Sequence, residues 1–366
     1  MAFKVEFVHC ISKQLLNLHC MLLGGQSFRW TEKRDNCFMG VVRNYVVQIE
    51  QHPTKCRFSL SSNVKMEESA VRAELEDYLQ LNFPIEDFYK LWCQRDPNHF
   101  EKKARALSGV RMLRQDPFEN VISFICSQNN HISRISQLVN KVCVHFGSYI
   151  TTIDGQDFYA FPSLDDLLEV KDLEKRLRDL AFGYRAAYVS KAVQFLANQQ
   201  GSKGGGGGEM WLNQLRDVSY EEAKTKLLQI PGIGPKVSDC VCLMSLDKTS
   251  AVPVDTHVLQ IAQRDYRVGM NKGGGGTKGK GGKLLSLTVK NYQTITDFFH
   301  ELFGDYSGWA HTVLFCSDLR EVPGKRKLEE QLGKTALKTT VEPVKEEFKP
   351  SDGKILKTAS DEQIYG

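Results

Sequence analysis

The stretch Ser219–Leu246, "SYEEAKTKLLQIPGIGPKVSDCVCLMSL", decides the fold. Apolar residues recur at helical spacing on both sides of a short segment that holds two glycines and two prolines. Ser219 and Glu222 carry a capping-box signature at the start of the first helix. Pro231 stops that helix, because it has no backbone N–H to donate. Gly232 and Gly234 allow positive φ and leave their amides bare, and Pro235 suits the first position of the second helix. Bare amides at a helix N-terminus make an anion site, and a turn without side chains lets a phosphate backbone come close. The pattern predicts a helix-hairpin-helix element that grips DNA phosphates without reading base sequence. The plainer alternative is a corner between two helices.

Lys236 occupies the second position of the second helix, and Cys240 and Met244 follow at four-residue intervals on the same face. That face points where the turn would bring DNA. A lysine at a helix N-terminus opposes the macrodipole, so a role as an amine nucleophile competes with a role as a phosphate contact. The next segment, "AVPVDTHV" (Ala251–Val258), puts Asp255 at the N-cap of a further helix. A capping carboxylate is fixed in direction and can also face a developing positive charge.

Upstream, "DPFENVISFICSQNN" (Asp116–Asn130) opens with Asp116 at an N-cap, Pro117 at the first helical position and Glu119 three residues past the cap. "SLDDLLEVKDLEKRLRDL" (Ser163–Leu180) reads as one helix, capped by Ser163 and stopped by Gly183. Residues 115–321 are therefore expected to form an all-helical domain. Residues 1–114 mix strand and helix. "CFMGVVRNYVVQIE" (Cys37–Glu50) reads as two strands around an Arg43-Asn44 turn, and "RFSL" (Arg57–Leu60) continues the alternation. "ESAVRAELEDYLQL" (Glu68–Leu81) aligns Val71, Leu75, Tyr78 and Leu79 on one helical face. An α+β domain follows, a small antiparallel sheet with helices packed on it. Glycine runs at 201–208 and 271–283 read as mobile surface insertions. The lysine-rich, aromatic-poor segment 322–366 reads as a disordered tail. Its "PGKRK" (Pro323–Lys327) fits a nuclear import signal.

The 366 residues carry a net charge of +4 and 41% hydrophobic side chains, an ordinary globular balance compatible with a polyanionic partner. No apolar run reaches the ~20 residues that span a bilayer, so no membrane role is expected. "MAFKVEFVHCISKQLLNLHC" lacks the layout of a secretory signal and fits a transit peptide poorly. The 10 cysteines are scattered with no C-x-x-C pair, and they read as reduced thiols. Only Cys240 and Cys242 lie close together, and two thiolates alone cannot hold a zinc ion or an iron–sulfur cluster.

These motifs resemble the helix-hairpin-helix, Gly/Pro-rich-loop, aspartate superfamily of base-excision DNA glycosylases. Within it the chain is similar to the eukaryotic 8-oxoguanine DNA glycosylase/AP lyase family. The resemblance runs from "GGQSFRW" (Gly24–Trp30) to "VLFCSDLR" (Val313–Arg320). Between them it takes in "GVRMLRQDPFENVISFICSQNN" (Gly109–Asn130), "GYRAAYVS" (Gly183–Ser190), the hairpin turn, "AVPVDTHV" and "YSGWAHTVLF" (Tyr306–Phe315). It implies a TATA-binding-protein-like N-terminal domain joined to a helical glycosylase domain. It further implies Lys236 as the nucleophile at the anomeric carbon and Asp255 as the essential aspartate. Gly25 would accept the N7–H that distinguishes 8-oxoguanine from guanine, with Cys240 and Phe315 sandwiching the flipped base and Met244 beside it. Asn129, Arg134 and Arg185 would hold the estranged cytosine, Tyr184 would wedge the duplex, and His257 would lie near the damaged nucleotide's phosphate, with Gly232 and Gly234 contacting the DNA backbone at the hairpin. A structural cation would sit on the carbonyls of Leu228, Ile230 and Ile233, with no cofactor needed for catalysis. The expected protein is a monomer acting on damaged double-stranded DNA in the nucleus, with the mitochondrion as a second site and downstream base-excision enzymes as partners.

Two departures bear on the pocket. His311 stands where the family has a glutamine reading the Watson–Crick edge, and His131 replaces a third asparagine. An imidazole in that place would titrate near pH 6.5 and lose its acceptor on protonation. Two further glycosylase types fit less well: an endonuclease III type would carry a four-cysteine cluster, and an alkylpurine glycosylase would lack the lysine. A non-catalytic DNA-binding module would need the turn but neither Lys236 nor Asp255.

Overall fold

The computed structural model describes residues 3–199, 207–269 and 288–319. Period-two alternation in the N-terminal segments resolves into a five-stranded antiparallel sheet. Its strands are β1 (Phe3–His9), β2 (Trp30–Arg34), β3 (Cys37–Val42), β4 (Tyr45–Gln51) and β5 (Cys56–Ser62), in the order β1-β5-β4-β3-β2. Val42 pairs with Tyr45 across the Arg43-Asn44 turn, where Arg43 adopts a φ of 48°. Helix α1 (Leu18–Leu23) precedes β2, and α2 (Glu68–Tyr78) lays Val71, Leu75 and Tyr78 against the sheet beside Phe38, Val47 and Phe58. Helices α3 (Ile85–Arg95) and α4 (Phe100–Ala104) follow. Their buried Trp92 and Phe100 join the core of the downstream helices rather than that of the sheet.

The helical part begins with α5 (Pro117–Cys126), α6 (Ile132–Phe146), α7 (Leu164–Leu168), α8 (Leu173–Asp179) and α9 (Arg185–Ala197). It continues with α10 (Gly207–Gln214), α11 (Tyr220–Leu227), α12 (Pro235–Ser245), α13 (Thr256–Arg264), α14 (Val289–Phe303) and α15 (Ser307–Asp318). Helix α5 packs against α12, α9 and α10, so the helix-hairpin-helix element is built onto the most buried helix of the domain. None of the described helices is long and apolar enough to cross a membrane.

Local differences from the sequence reading have local causes. The helical domain carries a two-stranded hairpin, β6 (Tyr149–Ile153) with β7 (Gln156–Tyr159). Asp154 and Gly155, both at positive φ, supply the two-residue turn that matches strand twist. Ile150 and Phe158 then cover Met39, Val41 and Val46 on the face of the sheet away from α2. The segment read as one helix is two, because Asp172 takes a left-handed φ of 52° between α7 and α8. Asp116 accepts the amides of Phe118 and Glu119 as expected. The Glu119 carboxylate does not return to the cap. It pairs with Arg29 at 3.4 Å, and burial pushes it up to about 7. Ser219 accepts the Glu222 amide, while the Glu222 carboxylate pairs with Lys226. Gly207 and Gly208, assigned to a mobile insertion, are buried in α10; a Cβ on Gly208 would meet the Leu196 carbonyl at 2.5 Å. The rest of that glycine run, the run at 271–283 and the tail with its PGKRK segment lie outside the described residues.

Candidate active site

The hairpin turn follows from its residue types. Gly232 sits at φ 89°, a conformation that β-carbons disfavour. Gly234 does not need glycine on that ground: its φ is −101° and its ψ −179°, extended backbone open to any residue. What distinguishes Gly234 is open space, since a Cβ there would meet nothing within 4 Å. Pro235 takes the first position of α12, and no side chain caps the helix at Gly234.

Helix α12 is anchored by a buried carboxylate. Asp239, wholly buried, accepts from the Tyr220 hydroxyl at 2.7 Å, the Tyr292 hydroxyl at 2.5 Å and Lys224 Nζ at 2.9 Å. Burial pushes its carboxyl upward against the pull of Lys224 and the two phenols. One side chain thus ties α11, α12 and α14 together three residues past Lys236. Lys236 Nζ itself lies 3.4 Å from Ser127 Oγ and 4.9 Å from the Phe124 ring centroid. The Cys240 thiol lies one turn further along the helix, and burial pushes it up to about 11 and keeps it neutral. Met244 is buried one turn further on. No carboxylate among the described residues pairs with Lys236.

Asp255 caps α13 through Oδ1, which accepts the Val258 amide at 2.9 Å. Its charge is felt at Cys240 and at His311, so it borders the same space. His311 and Phe315 lie one turn apart on α15, with ring centroids 6.3 Å apart, and His257 stands edge-on to Phe315 at 6.1 Å. Across this space comes a turn from the N-terminal domain. Gly24 ends α1, and a Cβ there would lie 3.4 Å from Cys316 Sγ and 2.2 Å from the Cys20 carbonyl. Gly25, at φ 88°, abuts Ile132 at the start of α6. The structure therefore brings Gly25 beside the helix that carries Phe315.

His311 overturns one expectation. It is only 4% exposed, and neither ring nitrogen has a hydrogen-bond partner of ordinary geometry, though the Gly308 carbonyl one turn back acts weakly on it. Desolvation pushes the ring down to about 4, so it is neutral throughout the range in which an exposed imidazole would titrate.

The remaining predicted residues gather on an adjoining edge. Asn129 is exposed at a φ of 47°, and its carbonyl accepts from Arg185 Nη2 at 2.9 Å. Arg134 donates to the Ala181 carbonyl at 3.3 Å. Tyr184 is 47% exposed, with Arg185 over its ring at 4.7 Å. Arg185 is itself buried and donates to the main-chain carbonyls of Gln128 and Asn129.

The chain resembles known proteins over most of its length. Residues 9–121 match the model for the 8-oxoguanine DNA glycosylase N-terminal domain, and residues 122–284 match that for HhH-GPD superfamily base excision DNA repair proteins. The N-glycosylase/DNA lyase OGG1 of Arabidopsis thaliana is 37% identical over 295 residues, 81% of this chain and 75% of its own. The N-glycosylase/DNA lyase of Saccharomyces cerevisiae is 33% identical over 332 residues, 86% of each chain. The chain belongs to the 8-oxoguanine DNA glycosylase family. Among solved structures, the Clostridium acetobutylicum 8-oxoguanine glycosylase/lyase bound to DNA with cytosine opposite 8-oxoG superposes with a TM-score of 0.69. Its identity is 27%, over 86% of this chain and 96% of its own.

In this glycosylase the carbonyls implied as cation ligands are partly committed. That of Ile230 accepts the Ile233 amide at 3.0 Å, while no described group bonds those of Leu228 and Ile233. Two of the three are therefore open to a further partner, and the third is not. Sequence reading missed Phe124, Ser127, Gln128 and Tyr188. All four sit on or beside positions it did single out, but nothing in their own spacing says what they touch.

Proposed function

We infer that the protein is a bifunctional base-excision-repair enzyme, a DNA glycosylase/AP lyase that removes 8-oxoguanine and related oxidised purines such as FapyG opposite cytosine. The observation that carries the reading is Lys236: a half-buried amine at the hairpin helix whose neighbours are a π face, a hydroxyl and a neutral thiol. Such an amine is oriented without being locked in an ion pair.

In this reading the purine is flipped out of the duplex, because its glycosidic carbon is unreachable in the stack. The phosphate grip at Gly232 and Gly234, the Tyr184 wedge and the Asn129, Arg134 and Arg185 contacts to the orphan base offset that cost. Lys236 Nζ bonds to the anomeric carbon as the glycosidic bond breaks, and the purine leaves with the electron pair and takes up a proton. Asp255 stabilises the positive charge on the sugar. The amine–sugar adduct opens to an imine, which acidifies the neighbouring hydrogen. Loss of that proton expels the 3′ phosphate by β-elimination, so a lysine nucleophile brings lyase activity with it. Gly25 accepts from the lesion's extra N–H, a single polar contact worth roughly 1–3 kcal/mol against an acceptor facing an acceptor.

The same reading takes the protein to act as a monomer, handing its product to downstream repair enzymes. The PGKRK segment supports a nuclear site of action, with the mitochondrion as a second compartment. Borohydride trapping on an 8-oxoguanine:cytosine duplex tests the activity. A covalent protein–DNA adduct is expected, and release of the base without an adduct would replace Lys236 by water as the nucleophile. Tight binding with neither release nor adduct would leave a DNA-binding protein only.

A further inference from the structure

Gln128 lies in the turn between α5 and α6 and has no part in the chemistry above. Its side chain and its main chain serve different partners. Nε2 donates to the Gly232 carbonyl at 2.6 Å, across 104 residues of sequence. Its backbone carbonyl accepts from the Tyr184 hydroxyl at 3.2 Å, from Arg185 Nε at 3.0 Å and also from Arg185 Nη2. A second link joins the same elements. Tyr188 packs so closely on Gly232 that a Cβ there would lie 2.6 Å from the tyrosine's own Cβ. Its ring stands edge-on to Tyr184 at 5.9 Å. Gly232 is thus clasped by Gln128 and Tyr188, and both lead to Tyr184.

We propose that Gln128 is a positioning residue that couples the phosphate-gripping hairpin to the wedge and the opposite-base loop, so that choice of the opposite base depends on a side chain committed to the hairpin. This rests on the glycosylase reading. Phosphate contacts set the register of a protein on a duplex, and base contacts specify within that register. Discrimination therefore needs a fixed spacing between the two sets. Gly232 belongs to the first and Asn129, Arg134 and Arg185 to the second, and the amide–carbonyl bond of Gln128 is the polar strut between them.

The test uses the full chain with Gln128→Leu, which keeps bulk and removes the donor, and Gln128→Glu, which sets an acceptor against the Gly232 carbonyl. Single-turnover base release is measured on 8-oxoguanine paired with cytosine and with adenine. Both variants should lower the cytosine-over-adenine rate ratio by about fivefold or more, the scale of coupling between residues in contact. Adding Gln128→Leu to Arg185→Ala should lower it no further, since both act through one loop. A preserved ratio overturns the proposal. So does the same fold-loss repeated on the Arg185→Ala background, which would make Gln128 an independent reader of the orphan base. Amide exchange of the DNA-free proteins supplies a readout that needs no substrate. Gln128→Leu should speed exchange both at residues 230–234 and at 184–186. Unchanged exchange at 184–186 removes the coupling whatever the enzyme acts on, whereas failure of the wild type to release 8-oxoguanine from either duplex would instead refute the glycosylase reading.

Discussion

Lys236 Nζ faces the ring of Phe124 at 4.9 Å from its centroid rather than any carboxylate among the described residues. A π face attracts the ammonium form of the side chain without pairing it to a counter-charge. The arrangement orients the nucleophile while leaving no salt bridge for attack to break. Lys236→Gln should keep binding to 8-oxoguanine:cytosine DNA and abolish both base release and borohydride trapping. Persistent trapping in the variant would transfer the nucleophile's role to another amine.

Asp255 serves a cap and a charge at once, and Asn separates them. Asp255→Asn retains a good cap, so thermal unfolding should move by no more than a few degrees. Base excision should fall by roughly 10²–10³, the usual consequence of losing one preorganised electrostatic group. Normal excision would confine Asp255 to capping α13.

The two glycines of the hairpin should respond differently to alanine. At Gly232 a Cβ meets both a φ of 89° and the Tyr188 side chain at 2.6 Å. Gly232→Ala should cost about 1–3 kcal/mol in urea unfolding and weaken DNA binding. Gly234→Ala meets neither obstacle, so stability should hold within about 0.5 kcal/mol while DNA affinity still falls, because the methyl occupies space left for the phosphate. Equal affinity losses without any stability difference would contradict this account.

His311 should govern part of the acid sensitivity of folding rather than of base recognition. Its folded value of about 4 lies below the ordinary 6.5. As pH falls through that window the unfolded chain binds a proton that the folded chain refuses. Stability is therefore intact above pH 6.5 and is lost towards pH 4, by about 3 kcal/mol for one fully buried ring. His311→Gln should lose less unfolding free energy than the parent between pH 7 and pH 4.5, measured by urea titration. Between pH 7.5 and 6 the two proteins should show the same pH dependence of DNA binding. Parallel stability losses would mean that the ring is hydrated in solution.

Asp239 is the anchor of the hairpin's second helix. Asp239→Ala leaves two phenols and Lys224 without their acceptor, and removing one partner of such a buried pair costs about 3 kcal/mol or more. Tyr292→Phe removes one bond of the set and also the acceptor of the buried Val254 amide, and should cost about 1–3 kcal/mol. A variant lacking the carboxylate with wild-type stability would show that α12 is held by apolar packing alone.

Much of this protein is legible in its chain because much of its structure is decided within a few residues. The Gly232–Pro235 turn, the Asp116 and Asp255 caps and the Arg43-Asn44 turn are each set by near neighbours. The Asp154-Gly155 hairpin was equally local and equally readable. The break at Asp172 was not, since a left-handed aspartate carries no fixed signature.

By itself the sequence determined the helix-hairpin-helix element, the sheet domain before it and the residue types able to do the chemistry. Only the tertiary structure decided who meets whom: Gly24 beside Cys316, Lys236 over Phe124, Gln128 on Gly232 and Asp239 between three helices. It also decided that His311 is neutral, which follows from burial and not from the residue. The reason is physical. Backbone preferences act along the chain over a turn or two, whereas desolvation, close packing and charge act through space, between segments a hundred residues apart.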